Sequence, residues 1–144
     1  MYEKLKKRFS VGQSVGTGHN ESVSEGYEPH LRELFQQFGG MSFNAGLYRV
    51  ANDEVASVWS EAMKVAFPSG GKPRTCFEFD WLGRVFALEP ERLVEGLPGV
   101  IMLEPGTGQA LEIPCNVHSF HEAELIEYCE IEGGCGCSVW IHWR

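Results

Sequence analysis

The sequence lacks the features that would place a protein in a membrane or direct it out of the cell. Its 144 residues contain no run of 18 or more apolar residues, so no transmembrane helix is expected. The N-terminal stretch "MYEKLKKRFSVG" is basic but has no apolar core of the kind that a secretory signal needs. We therefore expect a cytoplasmic protein without a membrane partner.

Basic residues are scarce: 12 Lys and Arg stand against 20 Asp and Glu, for a net charge of −8. The first eight residues hold four of the basic residues and one acidic residue, a local charge of +3, which leaves −11 for the rest of the chain. Such a body repels the phosphates of nucleic acid and attracts basic partners. We expect no nucleic-acid partner, although solubility alone also accounts for this charge.

The five cysteines are odd in number and the chain is expected to be cytoplasmic, so we expect thiols and no disulfide framework. They are Cys76, Cys115, Cys129, Cys135 and Cys137. The glycines of "FSVGQSVGTGHNESVSEGY" are not followed by the Lys-Ser/Thr of a phosphate loop. We interpret residues 1–27 as a basic, Gly/Ser-rich lead-in, with order beginning near Pro29, and residues 28–144 as a single domain.

Three segments have helical spacing. Residues 30–38 place four apolar side chains on one face, after Pro29 and before a Gly pair that ends the helix. Asn52 is a good N-cap for residues 53–66. There we expect one broad buried stripe of Val55, Val58, Trp59, Ala62, Met63 and Ala66. Ser119 and Glu122 form a capping-box pattern that predicts a short acidic helix over 119–129.

Short apolar segments between these helices predict strands at 45–50, 77–80, 84–89, 100–104 and 109–113, with a further candidate at 138–143. The loop "PGTG" joins the strands at 100–104 and 109–113. The order of helices and hairpins predicts an α+β fold, with an antiparallel sheet of four or five strands packed with about three helices.

The stretch "FEFDWLGRVFAL" predicts a hairpin that turns at residues 81–83. Gly83 supplies the positive φ of a three-residue loop, and this register places Asp80 opposite Arg84 as an ion pair. It also pairs Phe79 with Val85 and Phe77 with Ala87 on one apolar face. The other face, with Glu78, Phe86 and Leu88, needs cover from a helix or from a partner.

Candidate chemistry is sparse. Cys115, His118 and His121 have the spacing C-x2-H-x2-H, and Cys135-x-Cys137 precedes His142, which are ligand types that zinc prefers. The pattern matches no standard zinc knuckle, and no cysteine has the local signature of a nucleophile. Glu78 and Asp80 as a glycosidase pair are less favoured than a structural pair beside Arg84. We therefore predict no catalytic residue, no cofactor and no metal, and keep a metal-binding module and a small enzyme as alternatives.

Two stretches together resemble a known family. "LRELFQQFGGMSFNAGLYRVANDEVASVW" resembles the GAD-like domain, and "FEFDWLGRVFALEPER" resembles the Asp-Trp-Leu-Gly domain that follows it in the type VI secretion immunity family. The motif residues here are Asp80, Trp81, Leu82, Gly83, Phe86 and Ala87. "IPCNVHSFHEAELIEY" is similar to the segment before that family's last helices, whereas the family's usual ending is absent from "GGCGCSVWIHWR".

The resemblance implies an α+β protein that is not an enzyme and that acts as a cytoplasmic antitoxin, binding and blocking a secreted nuclease toxin. A relative without a current partner is the alternative. We expect Asp80, Trp81, Gly83 and Arg84 to be structural residues of the motif. The acidic residues expected to contact a basic toxin are Glu122, Glu124 and Glu127, together with Glu78 and Asp80 if their face is open. An uncovered strand edge or apolar patch further predicts a homodimer.

Overall fold

A computed structural model describes residues 2–8, 23, 25–43, 48–68 and 73–124. Its helices are α1 (Glu3–Arg8), α2 (Pro29–Phe38), α3 (Asp53–Ala66) and α4 (Val117–Ser119), the last continued by a π-helical segment (Phe120–Glu124). Its strands are β1 (Ser42–Phe43), β2 (Tyr48–Val50), β3 (Thr75–Asp80), β4 (Val85–Val94), β5 (Leu97–Glu104) and β6 (Gln109–Asn116).

The six strands form one antiparallel sheet in which each strand pairs with the next along the chain. The α+β class and the antiparallel sheet are confirmed, but the sheet has six strands and the described residues contain four helices. The additional strand is the two-residue β1, which is too short to show an alternation in sequence. The candidate strand at 138–143 lies outside the described residues.

The sheet has helices on both faces because its central strands alternate between two apolar sets. Phe86 and Leu88 belong to the larger core with α1, α2, α4 and the first turn of α3, whereas Val85 and Ala87 belong to a smaller core with the later turns of α3. The Phe86 ring lies 5.3 Å from the Phe120 ring of the π-helical segment. The predicted need for cover over Phe86 and Leu88 is therefore met by helices of the same chain.

The signals that end and begin the helices are partly as predicted. The side chain of Asn52 accepts a 2.8 Å hydrogen bond from the Val55 amide and caps α3. At α4, Ser119 is not the N-cap. The cap is Asn116, which accepts from the Ser119 amide while Ser119 Oγ accepts from the Asn116 amide. Asn is as good an N-cap as Ser, so the capping box lies three residues earlier than predicted.

The sheet contains a β-bulge in β3 that changes the predicted register. Phe79 pairs with Val85 as predicted, but Cys76 and not Phe77 pairs with Ala87. Because the bulge inserts one extra residue, Phe77 turns to the larger core, where its ring meets that of Phe120. The predicted Phe77–Ala87 pair is therefore wrong.

Order begins before Pro29, because α1 lies within the stretch that we interpreted as a lead-in. Tyr2 and Leu5 are buried in the larger core, and the Tyr2 hydroxyl donates a 2.7 Å hydrogen bond to the carbonyl of His30. The sequence did not predict this packing, because Tyr2 and Leu5 are only two apolar residues among charged ones and give too weak a periodicity.

Candidate functional site

The turn of the hairpin between β3 and β4 is held by Asp80. The Asp80 amide donates to the Arg84 carbonyl at 3.0 Å, and the Asp80 carboxylate accepts from the Leu82 and Arg84 amides at 3.0 and 2.9 Å. The Arg84 Nε donates to Asp80 Oδ2 at 2.7 Å, and Gly83 has a φ of +79°. The predicted turn at residues 81–83 and the predicted ion pair are both confirmed.

This arrangement leaves the tip of the hairpin in solvent. Trp81 is 51% exposed and Leu82 is 38% exposed, while both side chains of the Asp80–Arg84 pair are fully buried. We expected Trp81 to serve the fold. In the structure its side chain is half exposed, above a turn that is built by its neighbours.

Glu78 is also buried, in a network with two other side chains. The Tyr48 hydroxyl donates to Glu78 Oε1 at 3.0 Å, and His121 Nε2 contacts the same oxygen. His121 Nδ1 donates to the Val117 carbonyl at 2.6 Å, which fixes the proton on that ring nitrogen. Burial raises the pKa of Glu78 although His121 and Tyr48 act to lower it, and burial raises the pKa of Tyr48 well above its usual value.

Aromatic rings enclose this network. The Tyr2 ring lies edge-on to the His121 ring at 5.4 Å, and the Tyr2 ring is 5.9 Å from His118. The His118 ring is 5.4 Å from His30, whose Nδ1 bonds to Glu28 Oε1 at 2.7 Å. These contacts therefore link Tyr2, which precedes α1, with α2, the sheet, α4 and the π-helical segment.

Of the five carboxylates predicted to contact a partner, two are excluded by this packing. Glu78 and Asp80 are 1% and 4% exposed, so the open face that their role required does not exist. Glu122 is half-buried and its Oε2 accepts from the Lys4 amide at 3.3 Å, which ties it to α1. Glu124 ends the π-helical segment, and Glu127 lies outside the described residues.

The described members of the predicted metal-ligand set, Cys115, His118 and His121, form no cluster that could hold a metal ion. Within residues 2–124, as far as they are described, no group of three or more His, Cys, Asp or Glu side chains is placed to hold a metal ion. Cys76 and Cys115 are buried thiols, and burial raises the pKa of Cys76 to about 11. Cys129, Cys135, Cys137 and His142 lie outside the described residues.

A second exposed apolar region lies on α3, where we predicted one broad buried stripe. Met63 is buried, and Val55 and Trp59 are partly buried against the cores, as predicted. Val58, Ala62 and Ala66 of the predicted stripe are exposed, Val58 to 63%, and the neighbouring Val65 is 82% exposed. Two stripes of i,i+7 spacing, Ala56–Met63 and Val58–Val65, are present in the sequence. The two pairs lie on opposite sides of a helix. The sequence therefore already indicated that both pairs are not buried against the same surface.

One shallow cleft lies away from these regions. It has a volume of about 150 Å³, and Tyr27, Leu31, Leu88, Pro73, Pro90 and Pro98 are among the residues that line it. This volume is small beside the cavities that usually hold ligands. None of the side chains predicted to carry a function lines the cleft.

Comparisons with protein-family models, with curated proteins and with solved structures find no match for this chain. No helix in the described part of the chain is long and apolar enough to cross a membrane.

Proposed function

We propose that this protein is a non-catalytic immunity protein of the type VI secretion kind, which acts in the cytoplasm by binding and neutralising a basic toxin, a nuclease. The observation that carries the proposal is Trp81, half exposed at the tip of a turn whose own stability comes from the buried Asp80–Arg84 pair. The proposal assigns no catalytic residue, cofactor or metal to the chain.

Trp81 has the properties of a binding residue. Tryptophan is enriched among the residues that dominate the energy of protein interfaces, because it buries a large area at a small entropy cost. The turn beneath it is fixed by hydrogen bonds from the Leu82 and Arg84 amides to Asp80. A turn that is already ordered loses little conformational freedom on binding.

The charge of the chain supports a basic partner. A nuclease presents a positive groove to its phosphate substrate, and a protein with a net charge of −8 is attracted to such a groove. Complementary charge accelerates association and disfavours acidic partners. The same charge argues against binding to nucleic acid itself.

The alternative of a small enzyme is less well supported by the geometry. Glu78 and His121 are a carboxylate–histidine pair of the kind that acid–base catalysis uses. They are 1% and 0% exposed. A general acid or base must reach the proton that it transfers, and enclosure by Tyr2, Tyr48 and Phe120 leaves no route to these atoms from solvent.

A second copy of the chain remains a further proposed partner. Among the described strands β6 is at one end of the sheet, and its residues Gln109, Ala110 and Glu112 are exposed. Strand edges pair readily with other strands, so a homodimer through this edge is the form that we propose. Light scattering at micromolar concentration tests it, and a monomeric mass contradicts it.

The function is tested by co-expressing the chain with the product of the neighbouring gene. We expect the pair to form a complex and the chain to restore growth of cells that produce the toxin.

Trp81→Ala is expected to weaken the complex at least about ten-fold while leaving the fold intact. The matched control is Leu93→Ala, because Leu93 is 63% exposed and lies far along β4 from the turn. If the wild-type pair neither associates nor restores growth, the proposed function is wrong.

A further inference from the structure

The orientation of α3 is fixed by its inner side. The Trp59 ring stacks on the Phe79 ring, with centroids 5.6 Å apart and an interplanar angle of 12°. Ser60 Oγ donates to the Ala56 carbonyl at 2.5 Å and accepts from the Cys76 amide at 3.0 Å. These contacts with β3 determine which side of the helix faces away from the sheet.

The outward side carries four residues on one line, which we name the outer face of α3: Glu54, Val58, Glu61 and Val65. Successive helical residues are rotated by about 100°, so this line lies opposite Ala56 and Met63. Val58 and Val65 are two turns apart, about 10 Å along the axis. A carboxylate lies between them and another lies one turn before Val58.

The two valines have no role that the described fold can explain. A β-branched residue is a weaker helix former than Lys, Gln or Glu. A valine that stays exposed also adds little hydrophobic stabilisation to the fold. Val65 is 82% exposed and Val58 is 63% exposed. Apolar side chains aligned on a rigid helix provide the buried contacts of an interface in which a helix lies in a groove.

The charges on the outer face of α3 indicate which kind of partner binds there. Glu54 and Glu61 are both exposed, and the one basic residue of α3, Lys64, lies about 100° around the helix from Val65 and about 120° from Val58. Two copies of the face would place these carboxylates against each other, which is unfavourable, and an anionic lipid surface would repel them in the same way. A groove that is apolar at its centre and basic at its rim fits both sets of side chains.

We infer that the outer face of α3 is the docking surface for the basic protein partner, with Val58 and Val65 as the buried contacts and Glu54 and Glu61 as the steering charges. The inference rests on the proposed function and adds a surface to it, separate in sequence from the tip that carries Trp81.

The experiment measures binding kinetics between the full chain and the product of the neighbouring gene. The double variant Val58→Ser with Val65→Ser is expected to weaken the complex about 10- to 100-fold, mainly through faster dissociation and with an unchanged dependence on salt. Glu61→Lys is expected to slow association about three- to ten-fold at low salt, with the difference shrinking as salt is added.

Matched controls are Leu93→Ser, on a side chain as exposed as Val58, and Glu95→Lys, on a carboxylate in the β4–β5 turn. Both controls should bind as the wild type does. Circular dichroism and melting temperature should be unchanged in the α3 variants, since all the altered side chains are exposed.

The outcomes separate the inference from the proposed function. Wild-type binding that is unaffected by the α3 variants overturns the inference and leaves the function standing. A wild-type chain that neither binds nor restores growth overturns both. If the valine variant instead converts a dimer of the chain to a monomer in sedimentation experiments, the face is a self-interface and the inference is wrong.

Discussion

Arg84 and Asp80 form an ion pair to which solvent has no access, with 2.7 Å between Arg84 Nε and Asp80 Oδ2. The same carboxylate also accepts from two backbone amides of the turn, so it satisfies three donors at once. The five residues 80–84 thereby close the hairpin, with both charges of the pair buried.

Asp80→Asn should be strongly destabilising. The variant keeps an oxygen for the turn amides but removes the charge that pairs with the Arg84 guanidinium, and breaking a buried ion pair typically costs about 3–5 kcal/mol. Urea unfolding followed by tryptophan fluorescence measures the loss. Glu95→Gln, on an exposed carboxylate, is the control and should change stability by less than about 0.5 kcal/mol. A loss for Asp80→Asn of similar size would show that the pair contributes little.

Gly99→Ala should destabilise the sheet through Arg92. A Cβ at position 99 would lie 2.7 Å from the Arg92 guanidinium, which donates to the carbonyls of Val100 and Ile113 at 2.6 and 3.1 Å. Because the guanidinium must give up these bonds to make room, we expect a loss of about 1–3 kcal/mol in urea unfolding.

Two controls isolate that mechanism. Gly106→Ala meets nothing within 4 Å and needs no positive φ, so its effect should be close to zero or slightly stabilising. In an Arg92→Ala background the cost of Gly99→Ala should largely disappear, as a double-mutant cycle would show. An unchanged cost in that background would assign it to the backbone at position 99.

Glu78 should make stability depend on pH in an unusual direction for a carboxylate. Burial raises its pKa above the ordinary value of 4.5, so the folded chain keeps a proton that the unfolded chain has lost. The stabilising contribution is therefore complete below pH 4.5 and is lost as the pH rises through the folded-state pKa.

Glu78→Gln removes this titration while keeping groups that bond to Tyr48 and His121. The stability of the wild type relative to this variant should fall as the pH is raised from about 4 to about 7, in urea unfolding at a series of pH values. Glu54→Gln removes an exposed charge and serves as the comparison. A wild-type minus Glu78→Gln difference that is flat or rises with pH would contradict the raised pKa.

Helix α1 should contribute to stability although it lies in a stretch rich in lysine. Leu5 is fully buried, and truncation of a buried leucine to alanine costs about 2–5 kcal/mol. Tyr2→Phe removes the hydrogen bond to the His30 carbonyl and should cost about 0.5–1.5 kcal/mol. Thermal unfolding checks both, with the exposed Lys7→Ala as control. Wild-type stability in Leu5→Ala would show that α1 does not pack on the core in solution.

Local chemistry allowed much of the fold to be predicted. The Pro29 start and Gly39-Gly40 end of α2, the Asn52 cap of α3 and the turn at Gly83 all depend on residues within a few positions of one another. Their physical causes are the restricted φ of proline, the positive φ open to glycine and the short reach of a capping side chain. Such signals are complete within the sequence.

Local chemistry failed where a required conformation is adopted by a residue that gives no signal for it. The turn between β4 and β5 is made by Glu95 and Gly96, both with positive φ, and glutamate has no preference for that region. Strand β4 was therefore predicted to end near residue 89, although it continues to Val94. The bulge at Phe77 likewise has no sequence signature, since it depends on how β3 pairs with β4.

The sequence by itself determined the α+β class, the antiparallel hairpins and the Asp80–Arg84 closure, because each follows from propensity, periodicity or turn chemistry between close neighbours. Only the tertiary structure decided which polar residues are available to a partner. Glu78 lies against His121, 43 positions away, and Val58 faces away from the sheet because Trp59 and Ser60 face β3. Exposure is set by packing between distant segments, and a pattern within one segment does not contain that information.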